Sequence, residues 1–206
     1  GDASASAGRR IKRLLQEDQN ELLDRLRSAP ASAADALLPQ EEQVERFHGG
    51  LNEILSAAFL AGRTAGGLEG GDPARSVESL IRKQFLTPLR SDVARVIEAG
   101  FSAKDSAAAI SERANDVFRV WKGVRTDLLG EGLVFAAFHA GLIDALVARG
   151  TEKKRWIFSP KEQDCPRGIC KVNVDGGATA TGSVFASGHN APPAHGGCSC
   201  TLIGEE

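Results

Sequence analysis

No stretch of this 206-residue sequence approaches the ~20 consecutive apolar residues that a bilayer-spanning helix needs. The longest apolar-leaning segment, 132–147, is interrupted by His139 and Asp144 and is expected to be a buried core helix. A secretion signal is also missing, because the opening Gly-Asp-Ala-Ser-Ala-Ser-Ala has no basic region followed by an apolar one. The expectation is a cytoplasmic protein without direct membrane insertion. Charge of one sign is lacking too. The 25 Lys and Arg and 27 Asp and Glu give a net charge of −2 and are interspersed, so the chain builds no field of the kind phosphate binding requires. This argues against nucleic acid as a partner. The densest basic cluster, Lys153, Lys154 and Arg155, reads as a solvated charged turn. Methionine is absent, position 1 included, which leads us to expect a piece of a longer protein with Gly1 a cloning or protease remnant.

Catalytic signatures are scarce. There is no Gly-x-x-x-x-Gly-Lys, no Gly-x-Ser-x-Gly and no His-Glu-x-x-His. The His-x-Glu and Pro-Cys-x-x-Cys pair of the zinc deaminases is missing as well. His139 with Glu131, eight residues apart, reads as ordinary polar positions rather than an acid/base pair, and His48 likewise. Trp121 and Trp156 are expected to anchor cores. We find neither an internal repeat nor a low-complexity tract beyond an Ala/Ser/Gly bias.

What is present is a globular composition, 42% apolar and 25% charged. Helical spacing of Ile11, Leu14, Leu15, Leu22, Leu23 and Leu26 predicts an amphipathic helix over 9–28. A second is predicted over 41–63, ending before a Gly-rich loop at 66–71. Asp72-Pro73 should start a third, which Pro88 kinks or splits and Gly100 stops. Ser102 and Asp105 resemble a capping box for a further helix through Trp121. Gly130 and Gly132 should divide that pattern from a last helix closed by Gly150. From about Arg155 the helical period disappears, and short strands are expected near 155–158 and 200–203. The expected architecture is mainly α: a helical bundle over 1–150, followed over 151–206 by a small irregular/β, zinc-binding-like C-terminal module.

All four cysteines lie in that module. Cys165 and Cys170 enclose Pro-Arg-Gly-Ile, and His195, Cys198 and Cys200 crowd into Pro-Pro-Ala-His-Gly-Gly-Cys-Ser-Cys. Thiolates and imidazole in two clusters suit a tetrahedral zinc ion better than calcium or magnesium, which prefer oxygen. Cys165, Cys170 and Cys200 form the favoured set, with His195 and Cys198 competing for the fourth place and His189 close enough to support it. Four protein ligands would make the zinc structural. Disulfides or plain reduced thiols remain alternatives for the same cysteines. The spacing is not the Cys-x-x-Cys of a thiol oxidoreductase, and no helix is predicted after it. A zinc hydrolase would need an open position and a carboxylate base, for which Asp164 or Asp175 are the candidates.

The run Lys-Lys-Arg-Trp-Ile-Phe-Ser-Pro-Lys-Glu-Gln-Asp-Cys-Pro, then Val184-Phe185, Gly188 and Pro192-Pro193-Ala194-His195 leading to Cys198-Ser199-Cys200-Thr201-Leu202, resembles the C-terminal half of the Mu F-like phage head-morphogenesis proteins. That likeness covers about 117–203. It departs from the family's Cys-x-x-Cys and His-Pro-x-Cys-Arg-Cys by two residues added between Cys165 and Cys170, by Gly196 and by Ser199. Upstream, 10–26 resembles the region after the coiled coil in long actinobacterial proteins with a DivIVA-type domain. Together these resemblances imply a non-catalytic scaffold or assembly module, associated with cell division or polar growth, that binds a protein partner or itself. A phage or prophage head-morphogenesis role is the alternative they imply.

Overall fold

The computed structural model describes residues 2–123, 125–159, 165 and 168–205. Helix α1 (Asp2–Arg27) is followed by the short α2 (Ala33–Ala36) and by α3 (Gln40–Ala65). Then come α4 (Ala74–Leu80), a π-helical turn (Ile81–Leu86), α5 (Thr87–Ser102), α6 (Ala107–Lys122) and α7 (Arg125–Ala148). The C-terminal segment holds β1 (Lys153–Ile157), α8 (Ile169–Asp175), β2 (Thr179–Ala180) and β3 (Thr201–Glu205). The fold is mainly α, a helical bundle followed by a small β/irregular module.

Compactness divides the chain into two units, Gly1–Asn52 with Glu78–Gly130, and Glu53–Val77 with Glu131–Glu206. The cut falls inside α3 and α7, away from the 150/151 boundary that composition suggests. The Cys-rich segment shares its compact unit with stretches of both helices.

In the first unit the predicted stripe of α1 is buried at Ile11, Leu14, Leu15, Leu22 and Leu26, and α6 contributes Ile110, Ala114, Phe118 and Trp121. Trp121 is buried as expected, edge-on to Phe85 at 5.5 Å, and Phe85 lies 5.1 Å from Phe47. Pro88 sits at the first positions of α5 just after the π-turn, so the helical pattern divides there as expected. The Thr87 N–H and hydroxyl both bond the Arg82 carbonyl, so the turn widens and absorbs the missing proline donor. Gly100 does not stop α5; a side chain there would collide with Ile110. The cap of α6 is Ser106, whose hydroxyl accepts the Ala109 N–H at 3.2 Å, rather than Ser102.

In the second unit Gly150 closes α7 as expected, with φ 73 and the Thr151 N–H returning to the Leu146 carbonyl at 3.0 Å. Gly130 and Gly132 do not interrupt α7. Helix α7 therefore includes a segment, Thr126–Ala148, long and apolar enough by length and composition to cross a bilayer, and 44% of its apolar window is buried. Counting only uninterrupted apolar residues misses it. α7 packs on α3 through small residues, Gly62 and Gly66 against Gly141 and Ala145. The guanidinium of Arg63 on α3 pairs with Asp144.

The three-stranded sheet has the order β2-β1-β3, antiparallel throughout, with Trp156 opposite Leu202 and Ile157 opposite Thr201. Trp156 is buried, as its expected anchoring role requires.

Candidate metal centre

The five sequence-selected donors come together, and Cys170 is their hub. Cys165, Cys170 and His195 form one group whose ligand atoms lie within 4.8 Å of one another, and Cys170, Cys198 and Cys200 form another. The Sγ of Cys170 lies 3.4 Å from His195 Nε2 and 3.7 Å from Cys198 Sγ. Its own N–H donates to Cys165 Sγ at 3.2 Å. Such a cluster could hold a metal ion. Sulfur atoms 3.7 Å apart are far beyond a ~2.05 Å disulfide bond, and no disulfide joins the four cysteines among the described residues.

Local structure explains the convergence. Cys170 lies in the first turn of α8, a helix that the lost period did not predict and that follows Gly168 at φ 63. Seven residues, Ile169–Asp175, are too short to show a period, and much of their surface is solvated. Cys200 immediately precedes β3 and shares its buried alternation with Leu202. Cys198 and His195 sit in the loop before it, where the Cys198 N–H returns to the His195 carbonyl at 3.2 Å. The imidazole is oriented: His195 Nδ1 donates to the Gly196 carbonyl at 3.0 Å, which leaves the Nε2 lone pair for the cluster.

The cluster is dry. Cys170 and Cys200 are fully buried and Cys198 nearly so, walled by Trp156 and Phe185, whose rings meet edge-on at 5.1 Å. Burial pushes the Cys170 thiol far up, with hydrogen bonds from Cys165 and the charge of Cys198 adding to it, and burial raises Cys198 as well. Without a cation these thiols stay protonated; a bound dication would convert them to thiolates.

Lys154 corrects the sequence reading. It is fully buried, not part of a solvated turn, because strand alternation turns Lys154 and Trp156 to the inner face while Lys153 and Arg155 stay outside. Its ammonium donates to the Asn190 carbonyl at 2.7 Å and to the Asn190 side chain, and lies 5.1 Å from the centre of the Phe185 ring. Burial pushes its pKa down to about 8. With Asn173, whose side-chain oxygen accepts the Ser187 N–H at 2.9 Å, it pins the 185–190 loop that leads into the second ligand cluster. The signal for Lys154 was present in the alternation of 153–156; Asn173 left none.

His189 bonds Ser187 at 2.9 Å through its ring Nδ1, and no contact ties it to the five donors among the described residues. His139 is fully buried and satisfied, by the Phe135 carbonyl at 3.0 Å and the Thr201 hydroxyl at 3.2 Å. Asp175 is committed to an exposed pair with Lys171 at 2.7 Å, and Asp164 lies outside the described residues. No protein-family model matches this chain, and neither a curated protein nor a solved structure shows significant similarity to it.

Proposed function

We propose that this chain is a non-catalytic scaffold or assembly module whose C-terminal tip is held together by one structural zinc ion. The observation that carries the reading is the geometry at Cys170, 3.4 Å from Nε2 of an oriented His195 and 3.7 Å from Cys198 Sγ. Tetrahedral zinc, with Zn–S near ~2.3 Å and Zn–N near ~2.0 Å, separates paired sulfurs by ~3.8 Å and sulfur from nitrogen by ~3.5 Å. Around Cys170 the other donors fall into two mutually close groups, Cys165 with His195 and Cys198 with Cys200. The ion takes Cys170 and three of these four, which accommodates Cys165, Cys170 and Cys200 with His195 or Cys198 as the fourth. A set rich in thiolate supports a structural ion, since sulfur donation weakens the Lewis acidity that hydrolysis needs.

The scaffold role draws on the resemblance of 10–26 to DivIVA-type proteins and of the tip to Mu F-like head proteins, both assembly components. Residues 10–26 favour the first, and with it a part in cell division or polar growth through self-association or a protein partner. The test is metal content after purification without added metal, thiol titration under denaturing conditions, and the mass of the protein in solution. About one zinc per chain with four titratable thiols supports the centre. Oxidised thiols without metal would replace it with a disulfide-stapled tip, and a chain monomeric at all concentrations and without a protein partner would remove the assembly role.

A further inference from the structure

Strand β3 is an edge of the sheet, bonded to β1 on one side. No backbone hydrogen bond from elsewhere reaches its other edge among the described residues. Along that edge runs a cavity of about 350 Å³. Its strand wall is made by 201–204, four residues in a row. Successive side chains of a strand leave on opposite faces, so a cavity touching four consecutive residues follows the edge and not one face. Its opposite wall is a single stripe of α7, Phe138, Leu142, Leu146 and Arg149.

The two walls run in the same sense. The Thr201 hydroxyl donates to His139 Nε2 at one end, Leu202 packs on Leu142 and Leu146, and a side chain on Gly204 would meet Leu146 and Thr151 at the other. Four strand residues span ~13 Å and the α7 stripe ~16 Å, so the groove fits about four residues of extended chain. Its chemistry is graded along that length. The middle is apolar, and Ile203 leaves 47% of its surface exposed beside it. At the far end the Arg149 guanidinium donates to the Gly66 carbonyl at 2.8 Å, and no carboxylate pairs with it among the described residues. A guanidinium has five donors in a fork that suits a carboxylate.

We propose that this groove binds an extended acidic–apolar peptide segment of a partner protein, added as a further strand along β3. The added strand runs antiparallel to β3, the pairing with the better hydrogen-bond geometry. Its acidic side chain therefore reaches Arg149 first, and an apolar side chain follows against Leu142 and Phe138. Main-chain bonds to the open edge supply affinity, and the guanidinium and the apolar wall supply selectivity.

The full, zinc-loaded chain serves as bait for a displayed random heptapeptide library, in parallel with Arg149→Glu and Ile203→Lys. The expected result is enrichment of peptides with Asp or Glu shortly before apolar residues. Arg149→Glu should turn the selected charge to Lys or Arg. Ile203→Lys, which places a charge on the edge and leaves Arg149 intact, should weaken the best peptide by about tenfold. Amide exchange at 201–204 should slow when that peptide is bound. The proposal is overturned if nothing is enriched over empty support, if the Arg149→Glu bait selects the same charge, or if bound peptide leaves exchange at 201–204 unchanged. Binding of octanoate without any peptide would also overturn it and assign the cavity to a small carboxylate.

Discussion

Gly62 on α3 and Gly141 on α7 face each other's helix backbone so closely that a methyl group on Gly62 would overlap the Phe138 carbonyl, and one on Gly141 the Phe59 carbonyl. Backbone cannot swing aside as a long side chain can. Overpacking typically costs about 1–3 kcal/mol even where side chains can yield. Gly62→Ala and Gly141→Ala should each therefore destabilise the second unit by about 3 kcal/mol or more. Gly49→Ala, at a position with open space around it, should gain slightly from helix propensity. Thermal melts of the three variants check this; an unchanged midpoint for Gly62→Ala would contradict so close a crossing.

Because every donor of the candidate centre contacts or neighbours Cys170, that residue should matter most to metal binding. Cys170→Ser should lower zinc affinity by more than the roughly 10–100-fold typical of outer-shell losses. Cys165→Ser and Cys200→Ser probe the two groups that share Cys170, and each should cost as much if both residues are ligands. Chelation should loosen mainly 155–206, read as faster limited proteolysis there while the 1–52 helices resist. An unchanged metal affinity in Cys170→Ser would refute the hub arrangement.

Much of this was legible in the sequence because it rests on period and donor chemistry. The stripe of α1, strands near 155–158 and 200–203, and the five donors follow from period and residue chemistry, and the structure has strands at Lys153–Ile157 and Thr201–Glu205 and brings the donors together. What escaped depended on partners distant in sequence. Gly62 and Gly141 have meaning only once α3 meets α7, although Gly62-x-x-x-Gly66 and Gly141-x-x-x-Ala145 were a readable hint. Gly100 looked like a stop and is a contact, because nothing local announces Ile110 above it. Lys154 was misread by composition, three adjacent cations suggesting solvent, where strand alternation places the middle one inside. Helix α8 was too short to carry a period.

Asp18 is fully buried between Gln43, at 2.6 Å, and Arg46. Burial lifts its pKa to about 6 against the pull of both partners. The folded state thus holds a proton that the unfolded chain, with a carboxyl near ~3.9, has released. The stability gained by holding it is fully present below ~3.9 and lost as pH rises through about 6, at most about 3 kcal/mol in all. Asp18→Asn, which keeps an acceptor but cannot ionise, should flatten denaturant stability of the first unit between these values. A variant with the wild-type slope would assign that slope to another group.

His139 should act in the opposite direction over an overlapping range. Its ring is buried, and burial pushes its pKa down to about 4 despite the Phe135 carbonyl at its Nδ1. An unfolded histidine titrates near ~6.5, so between the two values the unfolded state binds the extra proton. Its contribution is complete above ~6.5 and lost as pH falls through about 4, up to about 3 kcal/mol. Any metal release in acid would add a loss common to both, so the informative quantity is the difference between wild type and His139→Leu, both measured under the same metal conditions at each pH. That difference should favour wild type at pH 7 and shrink steadily toward pH 4, as the unfolded wild-type chain takes up a proton that leucine cannot bind while the buried native ring stays neutral. Protection of the Thr201 amide, whose hydroxyl bonds His139 Nε2, taken relative to the intrinsic exchange rate at each pH, should fall over the same interval more in wild type than in His139→Leu. A pH-independent difference would mean that the ring titrates alike in the native and unfolded chains and that acid acts on the second unit elsewhere.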